Sequence, residues 1–308
     1  MVAALAACAP TLAPHGAAVE PPHIAANAFV TQDGLHLPLR EWKAQSPRAI
    51  LVALHGMSDY SQAFDMPGPY LADHGISVYA YDQRGFGRSP NRGIWAGGDA
   101  MRGDLREFVD VMHRAHPGVP VFALGESMGG AVVLSALADK SPPNVAGAVL
   151  VAPAVWSRKD MPVSYRVALW FAAHVVPWLH VSGNGLKIWP SDNIEMLKKL
   201  GRDPLFQHSA RADQVYGLVN LMDAARNAPD HLNNPPPILF LYGAKDQVIP
   251  PAPTKATIAA LDGRATVHRY KNGYHMLLRD LDRKIVWQDL KDWILKTANA
   301  QDTQGKSS

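Results

Sequence analysis

The stretch Val121-Phe122-Ala123-Leu124-Gly125-Glu126-Ser127-Met128-Gly129-Gly130 constrains this chain more than any other. An apolar run of strand type meets Gly-x-Ser-x-Gly, and an Ala/Val/Leu-rich helical run follows. That is the strand–turn–helix setting in which a serine becomes a nucleophile. So sharp a turn needs tiny residues on both sides of Ser127, and Gly125 and Gly129 supply them. The hydroxyl then stands clear of the sheet at a helix N-terminus, where unpaired N–H groups and the dipole favour developing negative charge.

The surrounding pattern has the same period. Continuous apolar runs at Ala49–Leu54, Ile76–Tyr81, Val119–Leu124, Val145–Val151, Ile238–Tyr242 and Ala265–Tyr270 read as strands buried on both faces. Helical patterns lie between or after them at Pro69–His74, Met101–His116, Met128–Ala138, Thr254–Leu261 and Asp280–Ala298. Alternation of this kind predicts an α/β fold with a mostly parallel central sheet covered by helices on both faces. A hairpin precedes it, with Val30-Thr31 and Leu35–Trp42 joined through Asp33-Gly34. The alternation breaks between residues 155 and 235, where helical patterns such as Val163–His174 and Asn193–Leu200 stand instead. Strands resume after Pro235-Pro236-Pro237, so this interval reads as a helical insertion over the carboxyl ends of the strands, where open α/β sheets bind ligands. The expected layout is a core of residues 27–154 and 236–299, a lid of residues 155–235 and a disordered tail at 300–308.

Composition narrows the class. At 47% hydrophobic and 19% charged over 308 residues, the chain can build a large core without a metal or disulfides. A net charge of +3 gives no nucleic-acid footprint, and no apolar run reaches membrane-spanning length. The single cysteine, Cys8, sits in Leu5-Ala6-Ala7-Cys8-Ala9, which resembles the lipobox of bacterial lipoproteins. Only seven residues precede it, and none is Lys or Arg. The expectation is a lipidated Cys8 on a cell-envelope protein, with a cytoplasmic location if the cysteine is not acylated. Residues 1–26 then form a signal-like start and an Ala/Pro-rich tether.

A serine hydroxyl attacks only when a base takes its proton and a third group orients that base. Two later segments can supply these groups in the order Ser, acid, His. The strand Ile238–Tyr242 runs into a turn carrying Asp246, and the strand ending at Tyr270 runs into a loop carrying His275. Among the thirteen histidines, His113, His116, His174 and His231 fall in or beside helices and His268 within a strand, where packing or surface roles explain them. Asp262 and Asp280 are nearby acids at helix boundaries, where capping explains them. The oxyanion hole needs two N–H donors. Met128, after the nucleophile, supplies one, and the loop His55-Gly56-Met57-Ser58-Asp59-Tyr60 the other. Gly56 lets that loop approach the substrate, and His55 reads as its structural prop beside the substrate.

With His55-Gly56, Asp82-Gln83-Arg84-Gly85-Phe86-Gly87-Arg88-Ser89, the Ser127 motif and the Asp246 and His275 segments in this order, the chain from about Ala28 to Ala298 resembles the monoacylglycerol lipase/lysophospholipase branch of the α/β-hydrolases, a serine aminopeptidase S33-like group. The resemblance implies Ser127 as nucleophile, Asp246 as acid, His275 as base, oxyanion N–H groups from Met57 and Met128, a lid, and neither metal nor cofactor. Lipases of this branch often carry His before the serine, where this chain has Glu126. The Gly85/Gly87 turn lacks the third glycine of a dinucleotide fingerprint. In the lid, Val163, Val167, Trp170, Phe171 and His174 recur at helical spacing and Trp178 follows. They are expected to line an acyl pocket, with Trp170, Phe171 and Trp178 as substrate contacts, or to touch a lipid surface.

The leading expectation is therefore a carboxylic-ester hydrolase acting on a small ester or lipid. A second is an aminopeptidase of the prolyl-aminopeptidase type, which would hold the substrate amine with Asp192, Glu195, Asp203 and Asp213. A third is a non-catalytic binding protein on the same scaffold.

Overall fold

A computed structural model describes residues 9–182 and 187–305. Its strands are β1 (His23–Ala25), β2 (Ala28–Val30), β3 (His36–Trp42), β4 (Ala49–Leu54), β5 (Ile76–Tyr81), β6 (Val121–Glu126), β7 (Gly147–Val151), β8 (His180–Val181), β9 (Ala210–Arg211), β10 (Ile238–Gly243) and β11 (Ala265–Tyr270). Its α-helices are α1 (Pro67–Asp73), α2 (Gly98–Ala115), α3 (Met128–Ala136), α4 (Val163–Val175), α5 (Ile194–Leu200), α6 (Ala212–Asn227), α7 (Pro251–Ala260) and α8 (Arg283–Gly305).

The six apolar runs are the parallel part of a nine-stranded sheet ordered β1-β2-β3-β5-β4-β6-β7-β10-β11. Strands β5, β4, β6, β7, β10 and β11 pair in parallel, while β1, β2 and β3 pair antiparallel and form the edge. The central strands alternate their side chains between two cores. Ile50, Val52 and Leu54 pack on one face with residues of α2, α3 and α6 such as Phe108, Val132 and Val219. Leu51, Ala53 and Val78 pack on the other with Leu71 of α1 and Leu290 and Ile294 of α8. A strand buried on both faces cannot alternate polar with apolar residues, which is why the runs of β4, β6, β7 and β10 are continuously hydrophobic. The parallel register brings the carboxyl ends of β4, β6 and β10 to one rim, and the site stands there.

The lid lies within the crossover from β7 to its neighbour β10. It holds α4, the two-stranded ribbon β8–β9, α5 and α6, with α4 packed on α6 and α6 packed on α3.

Three expectations change. The stretch from Ala9 to Ala26, read as a tether, is laid against the body. Thr11 N–H donates to Asp213 at 3.1 Å, Ala13 N–H to the Trp95 carbonyl at 2.8 Å and Val19 N–H to the Gln32 carbonyl at 2.7 Å, and β1 extends the sheet. These are bonds of extended backbone, to which an Ala/Pro-rich composition gives no side-chain period. Residues 300–305, expected to be a disordered tail, are helical. Helix α8 continues to Gly305, because no Gly or Pro interrupts residues 283–304. Strand β11, expected to be buried on both faces, is instead the edge strand beyond β10, with Thr266, Val267 and Arg269 exposed. Cys8 lies outside the described residues.

Candidate active site

Ser127 sits between β6 and α3 with φ 53° and ψ −113°, a region that residues bearing a side chain rarely adopt. The turn closes so tightly that a Cβ on Gly125 would lie 2.2 Å from the carbonyl of Gly129, and one on Gly129 would lie 2.2 Å from the carbonyl of Leu54. Both contacts are with backbone, which cannot step aside. The Ser127 N–H donates to the Val151 carbonyl at 2.9 Å and its carbonyl accepts from Ala131 and Ala154, so the strained residue is pinned on both sides.

Asp246 follows β10. Its Oδ1 accepts the N–H groups of Val248 (2.7 Å) and Ile249 (3.0 Å), and its Oδ2 lies 2.9 Å from Nδ1 of His275. Both side chains are buried. Burial alone would depress the His275 pKa, but the charge and hydrogen bond of Asp246, aided by Glu126, outweigh it and raise the imidazole above its ordinary 6.5. His275 and Ser127 line the same cavity. Among the described residues no protein acceptor takes the N–H of Met57 or of Met128, so both donors remain free for a ligand oxygen.

His55 does not reach that cavity. It is fully buried, its Nε2 accepts Gln83 N–H at 2.9 Å, and its Nδ1 is 2.9 Å from the Gly56 carbonyl. One nitrogen accepts, so the other donates, and the ring is a neutral brace. Burial pushes its pKa down accordingly. The expected substrate contact at His55 is thereby corrected. Gly56 stands against Ser127: a Cβ there would come within 3.2 Å of the Ser127 Cβ.

The cavity, about 690 Å³, lies between body and lid. Trp170, Phe171 and Trp178 are not on its wall. They are 53–58% exposed and face away. Helix α4 is apolar around most of its circumference, and Tyr165, Ala168 and Leu169 turn to the cavity while Val163, Val167, Trp170 and Phe171 occupy the opposite side. Periodicity shows that a face is apolar, not which of two apolar faces points inward. The other wall is α6, through Val215, Leu218, Val219 and Met222. Their i, i+3, i+4, i+7 spacing was the signal that could have found them.

The four lid carboxylates do not converge. Asp192 accepts Leu281 N–H, Glu195 pairs with Lys198, Asp203 accepts Tyr60 OH and Gln62, and Asp213 pairs with Arg211. Asp280 is no helix cap either. It accepts Tyr274 N–H (2.7 Å) and Ser191 Oγ–H (2.6 Å), clasping the His275 loop to the lid, and burial raises its pKa to about 6.

A parallel sheet with a serine on the turn after its central strand, and an acid and a histidine following in that chain order on the same rim, defines an α/β-hydrolase with a serine-type site. The serine aminopeptidase S33 model matches residues 45–282, and the chain belongs to that family. It is 27% identical to the monoglyceride lipase of Homo sapiens over 286 residues, covering 88% of this chain and 91% of that protein. It is 26% identical to the monoacylglycerol lipase of Mycolicibacterium smegmatis, covering 87% and 96%. A monoglyceride lipase structure from Saccharomyces cerevisiae superposes with a TM-score of 0.74 at 20% identity, covering 92% of this chain and 98% of that one.

Proposed function

We propose that this protein is a serine carboxylic-ester hydrolase of monoacylglycerol-lipase type. Ser127 Oγ attacks the ester carbonyl while His275 takes its proton, and Asp246 holds the imidazole in the required tautomer and supports its charge. The N–H groups of Met57 and Met128 receive the oxyanion. His275 returns the proton to the departing alcohol, leaving an acyl group on Ser127. Water, deprotonated by the same histidine, attacks the acyl carbon, and the proton passes to Ser127 Oγ as the acid departs.

The cavity wall carries this reading: it is almost wholly apolar and ends at Ser127 and His275. Such a wall suits an acyl chain and offers nothing to a charged amine. No carboxylate lines it among the described residues, which counts against the aminopeptidase reading. The similarity to monoglyceride lipases supports the same substrate class. Replacing Ser127 by Ala should lower kcat by about three orders of magnitude or more. A chain-length series on glycerol and p-nitrophenyl esters, with an amino-acid anilide alongside, should show activity on medium or long acyl esters and none on the anilide. Preferential anilide cleavage would refute the proposal. Failure of a fluorophosphonate to label Ser127 would favour a non-catalytic binding protein.

Two finer readings attach to it. The outward apolar face of α4, continued by Trp178 and Leu179, suits contact with a lipid surface from which the substrate is drawn. Cys8, in its lipobox-like setting, is the candidate acylation point of a bacterial envelope protein. Incorporation of a palmitate analogue that is lost in Cys8→Ala tests this.

A further inference from the structure

Beneath the site lies a buried ion cluster that the reaction scheme above does not use. Arg279 Nη1 donates to Asp59 Oδ2 at 2.7 Å and its Nη2 to Glu126 Oε2 at 3.0 Å. All three side chains are at most 5% exposed. They come from three separate segments, the loop after β4, the end of β6 and the loop after β11, each next to a reacting group. Asp59 is two residues beyond Met57, Glu126 immediately precedes Ser127, and Arg279 is four residues beyond His275. The other oxygen of Asp59 accepts Tyr60 N–H at 2.9 Å, which fixes the oxyanion loop. Glu126 Oε1 and Arg279 Nε have no hydrogen-bond partner among the described residues.

We propose that Glu126 and Arg279 are positioning residues for His275. Arg279 locks the base loop to the nucleophile elbow and the oxyanion loop, and the Glu126 carboxylate supports the positive charge that the imidazole gains in the reaction. The inference rests on the reading of Ser127 and His275 as nucleophile and base.

Stability does not require such a cluster. Buried charges carry a desolvation cost, and well-packed apolar side chains commonly serve a core as well or better. What a two-pronged guanidinium adds is fixed geometry between two carboxylates. Here it spans the three segments that must agree on the place of one oxygen and one imidazole. The cluster also holds one more acid than base. His275 is bonded to Asp246 from the turn after β10 and lies in the fields of Glu126 from the elbow and Arg279 from its own loop, while Asp280 lies in those of Asp192 and Glu126. The neutral ring of His55 lies in the field of Asp59, Asp82 and Arg279. Burial pushes the Glu126 carboxyl up while Arg279 holds it down, so its charge depends on that link.

The test compares wild type, Glu126→Gln and Arg279→Lys. It reads p-nitrophenyl ester kinetics and the pH dependence of fluorophosphonate labelling at Ser127, with a melting curve for each variant. Glu126→Gln keeps shape and hydrogen bond but removes a charge facing His275. Its acidic limb should move down by about half a pH unit or more, and kcat should fall roughly three- to tenfold with little change in KM. Arg279→Lys keeps the charge but loses the fork, so kcat should fall about tenfold while the limb stays within about 0.3 units. A folded Glu126→Gln enzyme with wild-type kcat and pH profile overturns the proposal. If Glu126→Gln does not fold, unchanged kcat in Arg279→Lys overturns it. Absence of labelling in wild type would instead refute the serine-hydrolase reading itself.

Discussion

Ser127 holds its hydroxyl in place by occupying a backbone conformation that disfavours any side chain, so removing that side chain should stabilise the fold. A non-glycine residue in such a region costs about 1–3 kcal/mol. Glycine adopts φ 53°, ψ −113° freely. Its extra freedom in the unfolded chain takes back about 0.5–1 kcal/mol. Ser127→Gly should therefore stabilise by about 0.5–2 kcal/mol, on the order of 1–4 °C in melting temperature. Ser127→Ala is the control: it loses the same hydroxyl but keeps a Cβ in the same backbone conformation, and with it the strain. Both variants should lose hydrolysis by about three orders of magnitude or more. Urea denaturation of the two side by side isolates the backbone contribution, since neither has a nucleophile. A Ser127→Gly protein no more stable than Ser127→Ala would refute the claim that the elbow stores strain.

With His275 as the proposed base, hydrolysis needs it neutral, and Asp246 raises its pKa, so the acidic limb of kcat/KM should fall above 6.5. Burial opposes the protonated form and Asp246 outweighs it, so stability from this pair is fully present below the unfolded value of 6.5 and is lost as pH rises through the higher folded value. His275→Gln should remove that component from the pH dependence of melting. Leu218→Trp fills the cavity beside α6, and kcat/KM should fall about tenfold for long acyl esters while butyrate esters change by less than about threefold. Equal losses across the series would place the acyl chain elsewhere. Trp170→Ser combined with Phe171→Ser should leave hydrolysis of a soluble short ester unchanged and reduce binding to phosphatidylcholine vesicles severalfold. Undiminished vesicle binding would count against a lipid-facing α4.

The parts of this fold legible in the sequence are those with a strong local cause. The doubly buried strands appear as unbroken apolar runs, and β4, β5 and β11 have the expected ends. Ser127 is legible because its turn leaves no room for anything but glycine at 125 and 129. Asp246 and His275 are legible because they follow strand ends, and the structure brings their side chains within 2.9 Å. What stayed hidden depends on tertiary choice. Trp170 and Phe171 look as fit for a cavity as Tyr165 and Leu169, and only the docking of α4 on α6 separates the two sets. The strap at residues 9–26 is held mainly by backbone bonds, to which side-chain patterns are blind. Arg279 in Leu278-Arg279-Asp280 reads as surface charge, and its partners are 153 and 220 residues away.

Helix α6 belongs to two structures at once. Its Val215 and Leu218 face the cavity, Leu221 and Ala225 sit in the core with α2 and α3, and Val219 and Met222 belong to both, as the crossover from β7 to β10 demands. The lid is therefore not a cassette with free edges. Chimeras that exchange the segment from Trp156 to Arg211 would leave the sheet clothed, whereas grafts reaching into residues 212–235 would strip it of a covering helix. Diversification of substrate choice in this scaffold thus has one permissive wall, α4, and one that can change only where a side chain faces the acyl chain without disturbing the residues behind it.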